Sequence, residues 1–396
     1  MIELYLKKDD CCGCSACYSV CPQAAISMQP DEEGFLYPKI DRNKCTECNL
    51  CKEVCAFQNG YKKMDSYNTP LVYAVKHISD DVRNVSSSGG MFTALSDEIL
   101  SQNGVVYGVG CDEQMVVCHQ RATDVVKRDT FRGSKYVQSE IRQTFKDIQS
   151  DLKNGFPVIF TGTPCQTAAL REFLKKISSS TEKLLLCDLV CHGVPSPLIF
   201  SEYLRFCEKK EGDKIKQHIF RSKVSGWHKN TEMNIYENGT EDHKSYSSQL
   251  YKEMFYSSIV LRPACHQCVY TNIKRPSDLT FADFWGIEKV MPTFDDNKGV
   301  SLLLINTMKG QKAFEKIKNK IAFIERDIKE CLHPQLRYPV GVSHLRDKFW
   351  NDYQIRGFKY VVKKYTRYGI INRIKYTIRR VLIKIEQIKK LVRINI

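Results

Sequence analysis

The sequence predicts a mixed α/β chain in three parts: a small cysteine-rich module at 1–60, a larger α/β domain at 71–345, and a basic amphipathic helical tail at 346–396. Three observations lead there. Nine of the 18 cysteines fall in the first 55 residues and form two copies of one pattern, beginning at Cys11 and Cys45. From Leu71 onward, strand-like and helix-like segments alternate. From Arg356 onward, thirteen Lys or Arg face a single acidic residue, Glu386.

The composition is that of a folded protein, with 42% hydrophobic and 11% aromatic residues, so disorder is not the expectation. The first residues, MIELYLKKDD, hold no apolar stretch of signal-peptide type, and no run of 18 apolar residues follows. The expected location is therefore cytoplasmic, where thiols stay reduced and dense, regular cysteines hold metal rather than disulfides. The net charge of +15 looks at first like a nucleic-acid signal, but the tail alone carries most of it, so no nucleic-acid partner is expected.

The N-terminal module is read from its spacing. Cys11, Cys14, Cys17 and Cys21-Pro22 form one C-x-x-C-x-x-C-x-x-x-C run, and Cys45, Cys48, Cys51 and Cys55-Ala56 form the second. This is the bacterial ferredoxin spacing, in which three thiolates wrap one 4Fe-4S cubane and the fourth reaches the other cluster. It assigns Cys11, Cys14, Cys17 and Cys55 to one cluster, and Cys45, Cys48, Cys51 and Cys21 to the other. Zinc also uses C-x-x-C pairs, but two identical fourfold runs are more than one zinc needs. Cys12 does not fit the spacing and reads as a spectator. Ala56 stands where the pattern carries proline.

The larger domain follows from periodicity. LVYAVKH, VVYGVGC, PVIFTG, KLLLCDLVC and SLLLINT read as strands. GGMFTALSDEILSQNG, SEIRQTFKDIQSDLKNG and TPCQTAALREFLKK read as helices. Their alternation predicts a parallel or mixed sheet covered by helices. Between about Lys214 and Glu253 the text is more polar, with an Asn238-Gly239 turn.

Four further cysteines sit in suggestive places. Cys165 and Cys191 each follow a buried strand, and Cys265 and Cys268 form a lone C-x-x-C that could be zinc-binding, redox-active or incidental. Strand-end loops of α/β folds converge on one site. The surrounding text then becomes specific: SSSGGMFTAL at 86–95, FRGSKYVQS at 131–139, FTGTPCQTAALR at 160–171, LVCHGVPSP at 189–197, PACHQCVY at 263–270 and FADFWGIEK at 281–289. Taken in order, these motifs resemble the beta subunits of the coenzyme F-420 hydrogenase/dehydrogenase family over roughly residues 1–310. The resemblance implies a flavin, normally FAD, and a third 4Fe-4S cluster on Cys165, Cys191, Cys265 and Cys268. Cys111, Cys118, Cys187, Cys207 and Cys331 have no partner pattern and read as core residues.

Clusters move single electrons, whereas most organic reductions need two, and a flavin joins the two regimes while the protein holds and tunes its ring. Ser87, Ser88, Gly89 and Gly90 precede a helix, where small residues admit a phosphate to the positive end, or serve simply as an N-cap. Arg132 and Lys135 offer cations to a pyrophosphate or form a solvated basic loop, and Tyr136 offers a stacking ring. Asp283 is a candidate catalytic group, with a packed Trp285 and a turn glycine as the plainer reading of FADFWG. His192, beside Cys191, is a candidate proton donor or a structural histidine.

In the tail, Ile370, Ile371, Ile374, Ile378, Leu382, Ile385 and Ile388 form one apolar stripe flanked by Lys and Arg. Such a helix suits an anionic membrane surface, which would make the protein peripheral to the inner face, or a protein partner. The expected function is an iron–sulfur flavoprotein oxidoreductase that relays single electrons between 4Fe-4S clusters and a flavin acting on a two-electron substrate. That substrate is a deazaflavin coenzyme or an organic metabolite, including intermediates of surface-polysaccharide biosynthesis. The redox partner is a ferredoxin or another protein of a hydrogenase/dehydrogenase complex. The alternative is an electron-transfer subunit with no substrate of its own.

Overall fold

The computed structural model describes residues 2–60, 66–331 and 333–378. They divide into two compact units: residues 1–198, 220–231 and 261–341, and residues 199–219, 232–260 and 342–396. These units cut across the boundaries expected from sequence, because the chain leaves the larger unit in its middle and returns to it.

In the first unit, the cysteine-rich module is built around an antiparallel pair, β1 (Ile26–Pro30) and β2 (Leu36–Ile40), with Ile26 opposite Ile40. Next comes an eight-stranded sheet. Its strands are β3 (Ser66–His77), β4 (Val105–Cys111), β5 (Val117–Ala122), β6 (Val158–Gly162) and β7 (Leu184–Leu189). They are followed, after strands of the second unit, by β11 (Leu279–Asp283), β12 (Ser301–Thr307) and β13 (Ile321–Glu325). The spatial order is β13-β3-β12-β11-β7-β6-β4-β5. The four strands β4, β6, β7 and β11 are parallel neighbours, and antiparallel strands extend both edges, so the sheet is mixed, as the alternation predicts.

Side-chain alternation divides this sheet into two faces. Val105, Tyr107, Val158, Phe160, Leu184 and Leu186 enter one core, which also contains Leu170 and Phe173 of the Pro164–Lys176 helix. Val106, Ile159, Leu185 and Cys187 enter the other, with Met91 and Leu95 of the Met91–Ser101 helix. The first core continues into the cysteine-rich module through Ala16, Val20, Val54, Ala56 and Phe57. One face of the sheet therefore carries the module.

One expected helix starts late. SEIRQ is not helical, and the helix runs Thr144–Lys153. Glu140 instead bridges to Cys118, its N–H bonding Val117 O at 3.0 Å while its carbonyl accepts from His119 N–H at 2.9 Å. Edge pairing outcompetes local helix propensity there.

The second unit holds most of a small sheet of β8 (Ile215–Ser222), β9 (Thr231–Tyr236) and β10 (Glu241–Asp242), with the Asn-Gly turn between the last two, while residues 220–231, from the end of β8 to the start of β9, belong to the first. Its core includes Phe200, Tyr203 and Tyr251 around His218. The helices Arg346–Arg356 and Phe358–Tyr365 follow, and residues 370–378 are helical again. The remainder of the expected basic helix, 379–396, lies outside the described residues.

Candidate functional site

The two cysteine runs repeat in conformation as well as in spelling. Gly13 and Glu47, each two residues after the first cysteine of its run, have φ of 70° and 52°, and Ser15 and Asn49 have φ of 63° and 61°. Alternating left-handed residues turn successive N–H groups inward, the concave arrangement that suits a cluster's sulfurs. The final cysteines match too: Cys21 has φ −68°, ψ 114°, and Cys55 has φ −73°, ψ 93°.

Two small cavities result. One is lined by Cys11, Cys14, Cys17 and Cys55, with Cys12 and Cys51 also on its wall. The other is lined by Cys21, Cys45, Cys48 and Cys51. Each cavity thus gathers three cysteines of one run and the last cysteine of the other. Burial pushes the Cys17 thiol well up, and the neighbouring Cys14, Cys11 and Cys55 push it further. Burial likewise raises Cys55, to about 12. Four thiols crowded out of water resist becoming thiolates together, and bound iron is the charge that reverses this. The donor set fits a 4Fe-4S cluster.

Cys165, Cys191, Cys265 and Cys268 also converge. Cys191 feels Cys265, Cys165 and Cys268 after burial itself, and Cys265 feels Cys268 and Cys165. Burial lifts Cys265 to about 12 and Cys268 to about 11. The sheet explains the meeting. Cys165 and Cys191 follow the carboxyl ends of adjacent parallel strands β6 and β7, and Cys265 and Cys268 lie on the 3-10 turn Pro263–Gln267 and its cap. Val194 N–H donates to Cys265 Sγ at 3.4 Å.

Beneath Cys165 runs a buried polar chain. Gln166 Nε2 donates to Ser139 Oγ at 3.0 Å, Ser139 Oγ meets His119 Nδ1 at 3.2 Å, and His119 Nε2 meets Thr161 O at 3.2 Å. The imidazole stacks on Phe160, and burial lowers it to about 4. The unfolded chain therefore takes up this proton near pH 6.5 and the folded chain does not. The stability is fully present above pH 6.5 and is lost as pH falls toward 4. His119 should make the protein about 2 kcal/mol less stable at pH 5 than at pH 7. Denaturant midpoints at the two pH values check this, and His119→Phe should flatten the difference. An equally steep acid loss in the variant would exclude His119 as its source.

Cys12 is not a bystander in space. It is 8% exposed, and its thiol interacts with both Cys14 and Cys165, one cysteine from each neighbouring quartet. Its double-cysteine spelling carries no spacing signal. Arg262 and Gln138 are likewise beyond the reach of sequence reading. Both are buried, Arg262 reaches Gln138 Oε1 at 2.9 Å, and Gln138 Nε2 donates to Cys12 O at 3.1 Å.

The residues expected at a flavin are brought partly together. Ser87 Oγ accepts from Ser134 N–H at 2.7 Å, which joins the SSSGG and FRGSKY loops. Gly89 must be glycine, since a Cβ would meet Val75 O at 2.4 Å and Ser301 N at 2.7 Å. Its N–H is taken by Ser301 Oγ, and the Ser88 hydroxyl by Val300 O, so neither is left for a phosphate. Gly90 caps the following helix in the left-handed region. The Ser87 hydroxyl keeps its own proton to donate. Arg132 pairs with Asp129 at 2.9 Å, and burial lowers Lys135 to about 8.

Tyr136, Arg221 and Asp283 form a second group. Arg221 pairs with Asp283 and reaches Tyr136 Oη at 3.5 Å. Trp227 Nε1 donates to the other Asp283 oxygen at 2.9 Å. Trp285, 39% exposed, stacks on Trp227 at 4.8 Å with Arg221 over its ring. Asp283 is thus an anchor for Arg221 and Trp227 in this arrangement. His192 meets Gln335 Nε2 at 3.2 Å, and burial together with His266 lowers its pKa.

Two cluster-type quartets in a ferredoxin-like module, seated on a large mixed sheet whose strand ends gather a third, define an iron–sulfur electron-transfer protein of oxidoreductase type. Residues 10–59 match the 4Fe-4S dicluster domain, and residues 157–330 match the C terminus of the beta subunit of the coenzyme F420 hydrogenase/dehydrogenase family. Among curated relatives, an F(420)H(2) dehydrogenase subunit of Methanosarcina mazei is 22% identical over 81% of this chain and 86% of its own. An uncharacterized ferredoxin of Methanocaldococcus jannaschii is 33% identical over 14% of this chain and 69% of its own. Among solved structures, the F420-reducing [NiFe] hydrogenase complex of Methanosarcina barkeri contains a chain 17% identical to this one. The match covers 72% of this chain and 88% of that chain, with a TM-score of 0.47. Among the described residues no helix is long and apolar enough to cross a membrane.

Proposed function

We propose that this chain relays single electrons through three 4Fe-4S clusters to or from a flavin, normally FAD, that acts on a two-electron substrate. The observation that carries the reading is the convergence of three cysteine quartets within one compact unit, with Cys12 interacting with a member of two of them. Cys11, Cys14, Cys17 and Cys55 hold the first cluster, Cys21, Cys45, Cys48 and Cys51 the second, and Cys165, Cys191, Cys265 and Cys268 the third. Bound clusters supply one-electron transfer, and a bound flavin supplies the conversion between single electrons and pairs.

The chain's own residues do the rest. Ser87 and Lys135 offer donors to the flavin's phosphates. Arg221, held by Asp283, places positive charge beside Tyr136 and Trp285, where a reduced ring needs it. His192, neutral and beside Cys191, is positioned to hydrogen-bond the third cluster. The substrate is a deazaflavin or an organic metabolite, surface-polysaccharide intermediates included. The relative named as part of a dehydrogenase favours a second reading, in which the chain feeds a partner protein and has no substrate of its own. The exposed Ile370, Ile371, Ile374 and Ile378, beside Arg373 and Lys375, suit an anionic membrane surface.

An oxygen-free preparation tests this. About twelve irons per chain (four per cluster) with one flavin is the expected result, with flavin reoxidised by one of a panel of deazaflavins and nucleotide-sugar intermediates. About eight irons without flavin would reduce the chain to a carrier. Reoxidation only with a second protein would favour the second reading, and flotation with anionic vesicles reads the tail. A colourless zinc-loaded protein would refute the proposal.

A further inference from the structure

One buried cation stands between the first and third quartets. Arg262 is fully buried. Its main chain belongs to the third quartet: its N–H donates to Val194 O at 3.0 Å, and its carbonyl accepts from Cys265 N–H at 3.0 Å. Its side chain belongs to the first. Nε donates to Cys11 O at 2.8 Å, Nη2 to Leu36 O at 3.1 Å, and Nη2 lies 3.7 Å from Cys11 Sγ. The guanidinium packs over the Tyr37 ring at 4.1 Å, and Gly13 leaves it room, since a Cβ there would meet Nη1 at 2.7 Å.

A guanidinium out of water needs a counter-charge. Among the described residues no carboxylate pairs with Arg262; its hydrogen bonds go to carbonyls, the Gln138 amide and a cysteine sulfur. The negative charge available there is that of the sulfurs themselves. A cluster gains one more negative charge on reduction, and a fixed cation a few ångströms away favours the reduced form.

We propose that Arg262 raises the reduction potential of the cluster held by Cys11, Cys14, Cys17 and Cys55. Its main chain meanwhile ties the same residue to the loop of the third quartet. This rests on the cluster reading above. Arg262 acts through Cys11 and Cys12 and is a positioning and tuning residue, not a catalytic one.

The test is a spectroscopically monitored redox titration of the anaerobic, iron-loaded full chain. In Arg262→Gln, the reduced-to-oxidised ratio of one cluster at fixed potential should fall about tenfold, which is 59 mV for a one-electron couple. The Cys21, Cys45, Cys48 and Cys51 cluster should not move, and Arg262→Lys should recover most of the shift. Gln138→Glu leaves Arg262 in place and neutralises it at Nη1, so it should lower the same potential. That variant decides the matter if Arg262→Gln loses iron. Iron-replete variants titrating as wild type, or all three clusters shifting equally, would overturn the role of Arg262 while leaving the clusters standing. Wild-type protein without cluster signals would overturn the cluster reading itself, and this proposal with it.

Discussion

Cys268→Ser removes about four irons from the loaded protein and leaves the spectrum of the two N-terminal clusters in place. The expectation follows from where Cys268 lies. It is half-buried beside Cys165 and Cys191, where burial and the neighbouring sulfurs hold its thiol protonated and bound metal is the charge that favours the thiolate. A serine keeps the volume but offers iron a poor ligand, so a cubane held by four protein thiolates loses a corner. Cys265→Ser should do the same, since its sulfur is fixed by the Val194 N–H. Cys187→Ser is the control. It lies on β7, only four residues before Cys191, but its side chain enters the opposite core with Ile159 and Leu279. It should keep all its iron. Iron per chain, measured with the electron paramagnetic resonance spectrum, distinguishes these results. Unchanged iron in both Cys265→Ser and Cys268→Ser would show that the quartet binds no cluster.

Asp188→Ala should destabilise the first unit by about 3–5 kcal/mol. Asp188 is fully buried near the end of β7 and pairs with Arg275 at 3.0 Å, itself almost completely buried. Arg275 also donates to Tyr270 O at 2.7 Å and Leu189 O at 3.0 Å. The pair therefore ties the strand that leads into Cys191 to the segment that follows Cys268. Removing the carboxylate strands a guanidinium in the core, which is where the cost arises. Denaturant unfolding reads the loss as a lowered midpoint. The third cluster should become labile in the same variant, because two of its loops lose their tie. Replacing the pair together, as Asp188→Leu with Arg275→Met, should recover much of the stability, since no charge is then left unpaired. A midpoint unchanged in Asp188→Ala would mean that water reaches Arg275 and that the tie is weak.

The two N-terminal quartets are legible in the sequence because their geometry is local. A loop of seven residues with thiols at every third position, and left-handed residues at matched places, folds around a cubane by itself, so spelling and shape agree at Gly13 and Glu47 and at Ser15 and Asn49. The strands of the sheet are legible for a similar reason: buried apolar runs such as SLLLINT have few alternatives to a strand covered on both sides. The 139–143 segment reads as helix because its periodicity is helical, but Glu140 bridges to the edge strand β5 and a turn with Arg142 in the left-handed region follows before the helix begins.

What the sequence determined alone was the presence of cluster-binding loops, the α/β sheet behind them and the family whose model residues 157–330 match. Each depends on contacts within a few residues or on a repeated period. Tertiary structure decided what stands between the cysteine quartets. Cys12 fits no spacing, and Arg262 meets Cys11 across 251 residues of chain. Their roles arise only when the helix beginning at Pro164 seats the ferredoxin-like module on the sheet. A buried charge takes its meaning from the groups that replace its water, and no stretch of sequence specifies those groups until the chain has folded.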